Sequence, residues 1–138
     1  MINCQSIQCF LTPIIAVIAV YITYQQWKTA KLKVDMDRYD RRLKIYQETQ
    51  GFIYAVMRDV APETLQMVKF RVDTAEADFI FPKEIKKYLD EIYSHAKELM
   101  IANNKKSGED IYNISCWFAD QVEKDIVKEK FKPFLTIL

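Results

Sequence analysis

Hydrophobic positions change their spacing once along this chain, and the change divides it. From Cys9 to Trp27 there are 19 residues without a charged side chain, and Phe10–Tyr24 is almost wholly apolar. At 1.5 Å of rise per residue that stretch reaches about 28 Å as a helix, close to the ~30 Å of bilayer hydrocarbon. A helix at the rim of a soluble core shows polar residues every third or fourth position, and this one does not. After Trp27 a helical period begins. Leu32, Met36, Tyr39, Leu43, Tyr46, Gln50, Ile53 and Met57 follow one another at spacings of four and three, an apolar stripe interrupted only by Gln50. The pattern predicts one long helix from about Pro13 to Arg58, its stripe packed against later helices of the same chain.

Three more helices are predicted as partners. Pro62 suits a first helical position ahead of Leu65, Val68, Val72, Ala75 and Phe79. Pro82 opens the next, with Ile85, Tyr88, Leu89, Ile92, Ala96 and Leu99 on one side. The polar run ANNKKSGED (102–110) reads as the one long loop. Ile114, Trp117, Phe118, Val122 and Ile126 then make a last helix, ended by Pro133. With only two glycines and four prolines, each proline at a predicted element edge, no strand is needed. The fold expected is all-α: a transmembrane helix continuing into a cytosolic bundle of about four helices. The domains are a short amino-terminal segment with its anchor (1–27) and a cytosolic helical domain (28–138).

Charge sets the expected direction. Residues 1–27 carry none, residues 28–44 hold seven basic against three acidic side chains, and the remaining 94 hold 13 against 16. A cleaved signal peptide needs a basic start and a small-x-small site after the apolar run. MINCQSIQC has no Lys or Arg, and Ala16 and Ala19 fall in mid-run, so a retained anchor is expected. Basic residues stay on the cytoplasmic side, which puts the amino terminus outside and the domain inside. Tyr21, Tyr24 and Trp27 fall at headgroup level as an interfacial belt, and Lys28, Lys31 and Lys33 lie next to the lipid. Thr12, Ala16, Ala19 and Thr23 form a small face on the anchor, a surface on which membrane helices can approach closely; since Ala and Thr are common in any spanning helix, a monomeric anchor is the default reading and a homo-oligomer the alternative. Phe131, Phe134 and Leu135, near a terminus that frays unless held, must pack on the bundle, dip into lipid or contact a partner; packing is the default, because a bundle end needs a lid.

The candidate chemistry is thin. Gly51 and Gly108 stand alone, so no phosphate-cradling loop is present. His95 is the single histidine, with no second ligand at metal spacing, and helix packing explains it. Asp35, Asp37 and Asp40 are interleaved with Arg38, Arg41 and Arg42, which is the pattern of helical ion pairs such as Asp37–Arg41. Glu76 and Asp78 would need burial to become catalytic. Cys4, Cys9 and Cys116 match neither a redox nor a metal motif. The small, membrane-proximal charge excess argues against nucleic-acid binding. No catalytic, cofactor or metal residue is assigned, and an enzyme is not expected.

The stretches TPIIAVIAVYITYQQWK, DRYDRRLKIYQ, FIFPKEIKKYLDEIY and FKPFL, in that order, resemble those of a loose group of small bacterial proteins with one amino-terminal anchor and a helical cytosolic domain. The resemblance implies that topology and a bacterial inner-membrane setting. It assigns no functional residue and no activity. The reading that results is a membrane-tethered, non-enzymatic interaction or regulatory module at the cytoplasmic face. Its partners would be membrane lipid and a protein, and it would be accessory to a defence or stress system. An oligomerising, membrane-perturbing effector and a sensor with a ligand pocket inside the bundle are the alternatives.

Overall fold

The computed structural model describes residues 4–136; residues 1–3 and 137–138 of the two expected segments lie outside it. The described residues form helices joined by short turns, with no strand among them. Helix α1 runs Cys4–Asp59, α2 Thr64–Asp73, α3 Ala77–Ile80, α4 Lys83–Lys105, α5 Gly108–Glu123 and α6 Ile126–Phe131, followed by a 3-10 turn over Lys132–Phe134. Pro13 therefore lies inside α1 rather than at its edge. Two units are distinguished, residues 1–37 and 38–138, and α1 contributes to both. The change in chemistry at Trp27 thus precedes the change in packing at Arg38.

In the first unit every described side chain is exposed. In the second, the core is built from one face of each helix. Ile53, Ile92, Ala96, Phe118 and Phe131 are completely buried, and Ile85, Leu99 and Val56 nearly so. The expected stripe of α4 is buried at all six positions. On α1 the buried residues are Ile45, Thr49, Phe52, Ile53 and Val56: Ile53 is buried as expected, and the other four lie one position before the expected Tyr46, Gln50, Ile53 and Met57. A one-residue offset turns a helix face by about 100°. Thr49 is admitted to the core because its hydroxyl donates to the Ile45 carbonyl at 2.8 Å, leaving no polar atom unpaired.

Turn geometry replaces the expected loop. The backbone of α4 continues to Lys105, and Lys106 adopts the left-handed conformation (φ 54°). Its N–H bonds to the Asn103 carbonyl and that of Ser107 to Ala102, closing the helix end within two residues before α5 begins. Asp125, also left-handed (φ 50°), breaks the expected last helix into α5 and α6. After α1 the chain turns at Val60 (φ 55°), a strained conformation for a β-branched residue, which the Asn103 amide holds by donating to the Val60 carbonyl at 2.8 Å. Pro62 precedes α2 rather than opening it. The first N–H of that turn, on Glu63, is satisfied by the Gln66 side chain at 3.1 Å.

Helix α2 differs most from expectation. Met67, Phe70 and the following Thr74 are buried, whereas Leu65, Val68 and Val72 are exposed, and Phe79 on α3 is 89% exposed. At 100° per residue the two sets sit on opposite poles of the helix. The Phe52 and Phe70 rings stack at 4.2 Å, which fixes the buried pole against α1. Replacing Val68 and Val72 with Lys is expected to change stability by less than about 0.5 kcal/mol each, against about 3–5 kcal/mol for Phe70→Ala. Denaturant melts of the three variants decide this, and a large loss for the outer pair would reverse the assignment of faces.

Candidate functional site

The first unit carries the apolar surface. Among the described residues one helix is long and apolar enough to cross a membrane: an 18-residue stretch of α1 has a mean hydropathy of 1.9, with none of it buried. Its polar groups are closed on the helix itself. The Thr12 hydroxyl donates to the Gln8 carbonyl at 3.1 Å and Thr23 to the Ala19 carbonyl at 2.8 Å. Such back-bonding removes the hydroxyl proton from the surface, so the face of Thr12, Ala16, Ala19 and Thr23 is small without being strongly polar. Towards Trp27 the chemistry changes. The Gln25 amide donates to the Tyr21 hydroxyl at 2.9 Å, and the Tyr24 and Trp27 rings lie 6.3 Å apart. The Lys31 ammonium sits 5.6 Å from the centre of the Trp27 ring, a cation over an aromatic face. Lys28, Lys31 and Lys33 are all exposed.

The second unit is held together by a residue that spacing did not single out. Arg42 donates from Nε to the Ile80 carbonyl at 3.1 Å and from Nη1 to the Phe134 carbonyl at 3.2 Å. Its guanidinium also lies 5.7 Å from the Phe81 ring centre. One half-buried cation thereby joins α1, the end of α3 and the carboxyl-terminal turn. The tail follows this clasp. Phe131 is fully buried, 5.5 Å from Tyr46 and 5.3 Å from Phe81 edge-on, and Phe134 and Leu135 pack half-buried on the core. Phe131 is therefore no surface contact: its apolar ring completes the core, and the tail is a lid.

Glu76 and Asp78 are paired in structural roles. Glu76 accepts from Arg41 at 3.4 Å and Asp78 from Lys86 at 2.9 Å, so this carboxylate pair faces cations at the exposed surface. His95 lies on α4 with its ring centre 4.1 Å from that of Trp117 on α5, and its nitrogens are 3.9 Å from Glu91 and 3.6 Å from Glu98. Trp117, expected in the core, is half-buried at its rim. Among the described residues no group of three or more His, Cys, Asp or Glu could hold a metal. The free cysteines Cys4, Cys9 and Cys116 are exposed.

Two of the clefts are open grooves. One of about 290 Å³ between α1 and α2 is floored by Phe52 and Phe70 and edged by Glu48, Lys69 and Asp73. Another of about 430 Å³ is edged by Arg71, Asp78, Lys86 and Asp90, whose charges pair as Arg71–Asp90 at 3.1 Å and Lys86–Asp78. Neither combines an enclosed apolar chamber with convergent polar groups, the usual form of a small-molecule site.

Tyr88 on α4 and Gln121 on α5 make a buried polar contact. The phenol donates to Oε1 at 2.7 Å, and burial, with the nearby Glu91 charge, holds its proton far more tightly than an exposed tyrosine does. A native state that keeps this proton is fully favoured below about pH 10, where a free tyrosine is neutral, and loses that advantage as pH rises above it. Tyr88→Phe should therefore lose less stability than the parent between pH 8 and 11 by denaturant melts. An equal loss would mean that the Tyr88 proton is not linked to folding.

No protein family model, curated protein or solved structure matches this chain.

Proposed function

We propose that the chain is a membrane-tethered, non-enzymatic interaction module, anchored by residues 10–27 with its helical bundle at the cytoplasmic face of a bacterial inner membrane. The observation that carries this reading is the first unit: an apolar helix segment in which no side chain is covered by the rest of the chain. Left in water it would be an apolar patch far larger than soluble monomers expose. The Trp27–Lys31 contact supports the orientation, since an aromatic ring and a basic side chain meet where the headgroups would lie. The bundle then serves to hold a protein partner near the membrane, as an accessory member of a defence or stress system. The back-bonded threonines weigh against the membrane-perturbing alternative, because a water-filled pore wants hydroxyls turned to its lumen.

A phosphatase reporter and a fluorescent reporter, each fused to the carboxyl terminus, test the topology. Fluorescence without phosphatase activity, together with retention in carbonate-washed membranes, is the expected result. An active periplasmic phosphatase would overturn the orientation, and carbonate release would overturn the anchor.

A further inference from the structure

Just beyond the proposed anchor, α1 presents Leu32 and Met36, four residues apart on one face, 61% and 51% exposed. They begin the four-and-three repeat that continues through Tyr39 and Leu43, which are half-buried. The repeat is that of a coiled-coil seam, with Met36 and Leu43 at a positions and Leu32 and Tyr39 at d positions. The flanking g positions are then Lys28 and Asp35, and the e positions Lys33 and Asp40, all exposed. In a parallel pair, each g residue meets the e residue five positions on in the other helix. Two copies of this chain would set Lys28 against Lys33 and Asp35 against Asp40, each contact occurring twice. All four contacts would be between like charges, which opposes self-pairing.

We infer that this face takes a parallel helix of a different membrane-tethered protein whose flanking charges are inverted, acidic opposite Lys28 and Lys33 and basic opposite Asp35 and Asp40. The inference rests on the proposed anchor, because two chains entering one membrane with the same topology run in the same direction. Two heptads are too short to associate from dilute solution, and the shared membrane supplies the effective concentration that makes so short a seam sufficient. Charge chooses the partner and the apolar pair supplies the contact.

The test uses the full chain with Cys4, Cys9 and Cys116 changed to Ser and Met36→Cys added. It is reconstituted in phosphatidylcholine vesicles with a tagged copy of itself carrying Lys28→Glu, Lys33→Glu, Asp35→Lys and Asp40→Lys. Added copper–phenanthroline oxidises two thiols to a disulfide wherever position 36 of one helix faces position 36 of another. Disulfides between the parent and inverted chains should exceed those within either kind by about tenfold. Abundant parent–parent disulfides would overturn the inference in favour of a second copy. No excess of mixed disulfides, in vesicles that retain both chains after carbonate washing, would overturn it in favour of lipid covering the face. Leu32→Cys in one chain should not couple to Met36→Cys in the other; coupling there would mean antiparallel helices and also overturns the parallel seam. Loss of the chains from the washed vesicles would instead mark failure of the anchor itself.

Discussion

Phe131→Ala is expected to lower the stability of the bundle by about 3–5 kcal/mol. The ring has no exposed surface and lies between Tyr46 of α1 and Phe81 at the end of α3, so truncation leaves a cavity walled by residues from separate segments. Those walls cannot close easily, because Arg42 fixes the distance between the same segments through two backbone carbonyls. The loss should therefore sit at the upper end for a phenylalanine. Leu135→Ala, at a half-buried position, should lose about 1 kcal/mol. Thermal and denaturant melts of the detergent-solubilised chain measure both. A loss below about 1 kcal/mol for Phe131 would mean that the tail does not seat as a lid.

The second large effect concerns the anchor. Val17 and Ile18 lie in the middle of the uncharged run, and both are exposed. Each arginine placed at the centre of a spanning helix costs about 2.5–3.5 kcal/mol on insertion scales, so Val17→Arg with Ile18→Arg removes about 5–7 kcal/mol from membrane insertion. The doubly substituted chain should leave the membrane fraction on carbonate washing. The bundle's melt should be unchanged, since neither side chain belongs to the second unit. Unaltered retention in washed membranes would mean that residues 10–27 do not span.

How far the sequence discloses the fold depends on how many apolar faces a helix carries. Helix α4 has one, with charges elsewhere, and its buried set is legible residue by residue. Helix α2 has two, Leu65/Val68/Val72 and Met67/Phe70, and spacing alone cannot say which pole meets the core. On α1 the deciding residue is Thr49, a polar side chain that enters the core by bonding to its own helix, which turns the buried face away from the Tyr46–Gln50 line. Lys106 and Asp125 take left-handed conformations that composition assigns to glycine or asparagine, so one helix was expected to end early and another to run on. The apolar run, its aromatic end and its basic flank were visible directly, because they are contiguous. Arg42 was not, because both of its hydrogen-bond acceptors are main-chain carbonyls, which every residue possesses and no side-chain pattern records.

The Arg42 clasp also has a consequence in time. Its second acceptor, on Phe134, lies 92 residues further along the chain. At 5–20 residues per second a ribosome needs about 5–20 s to supply it. Once residues 80 and 81 have been made, Tyr46 and Phe81 still have nothing to cover them, and the arginine that will close the structure has half of its acceptors. The bundle is thus obliged to wait for Phe131 and Phe134, and a chain whose synthesis stops short of Phe131 is left with an open core for proteases and chaperones to find.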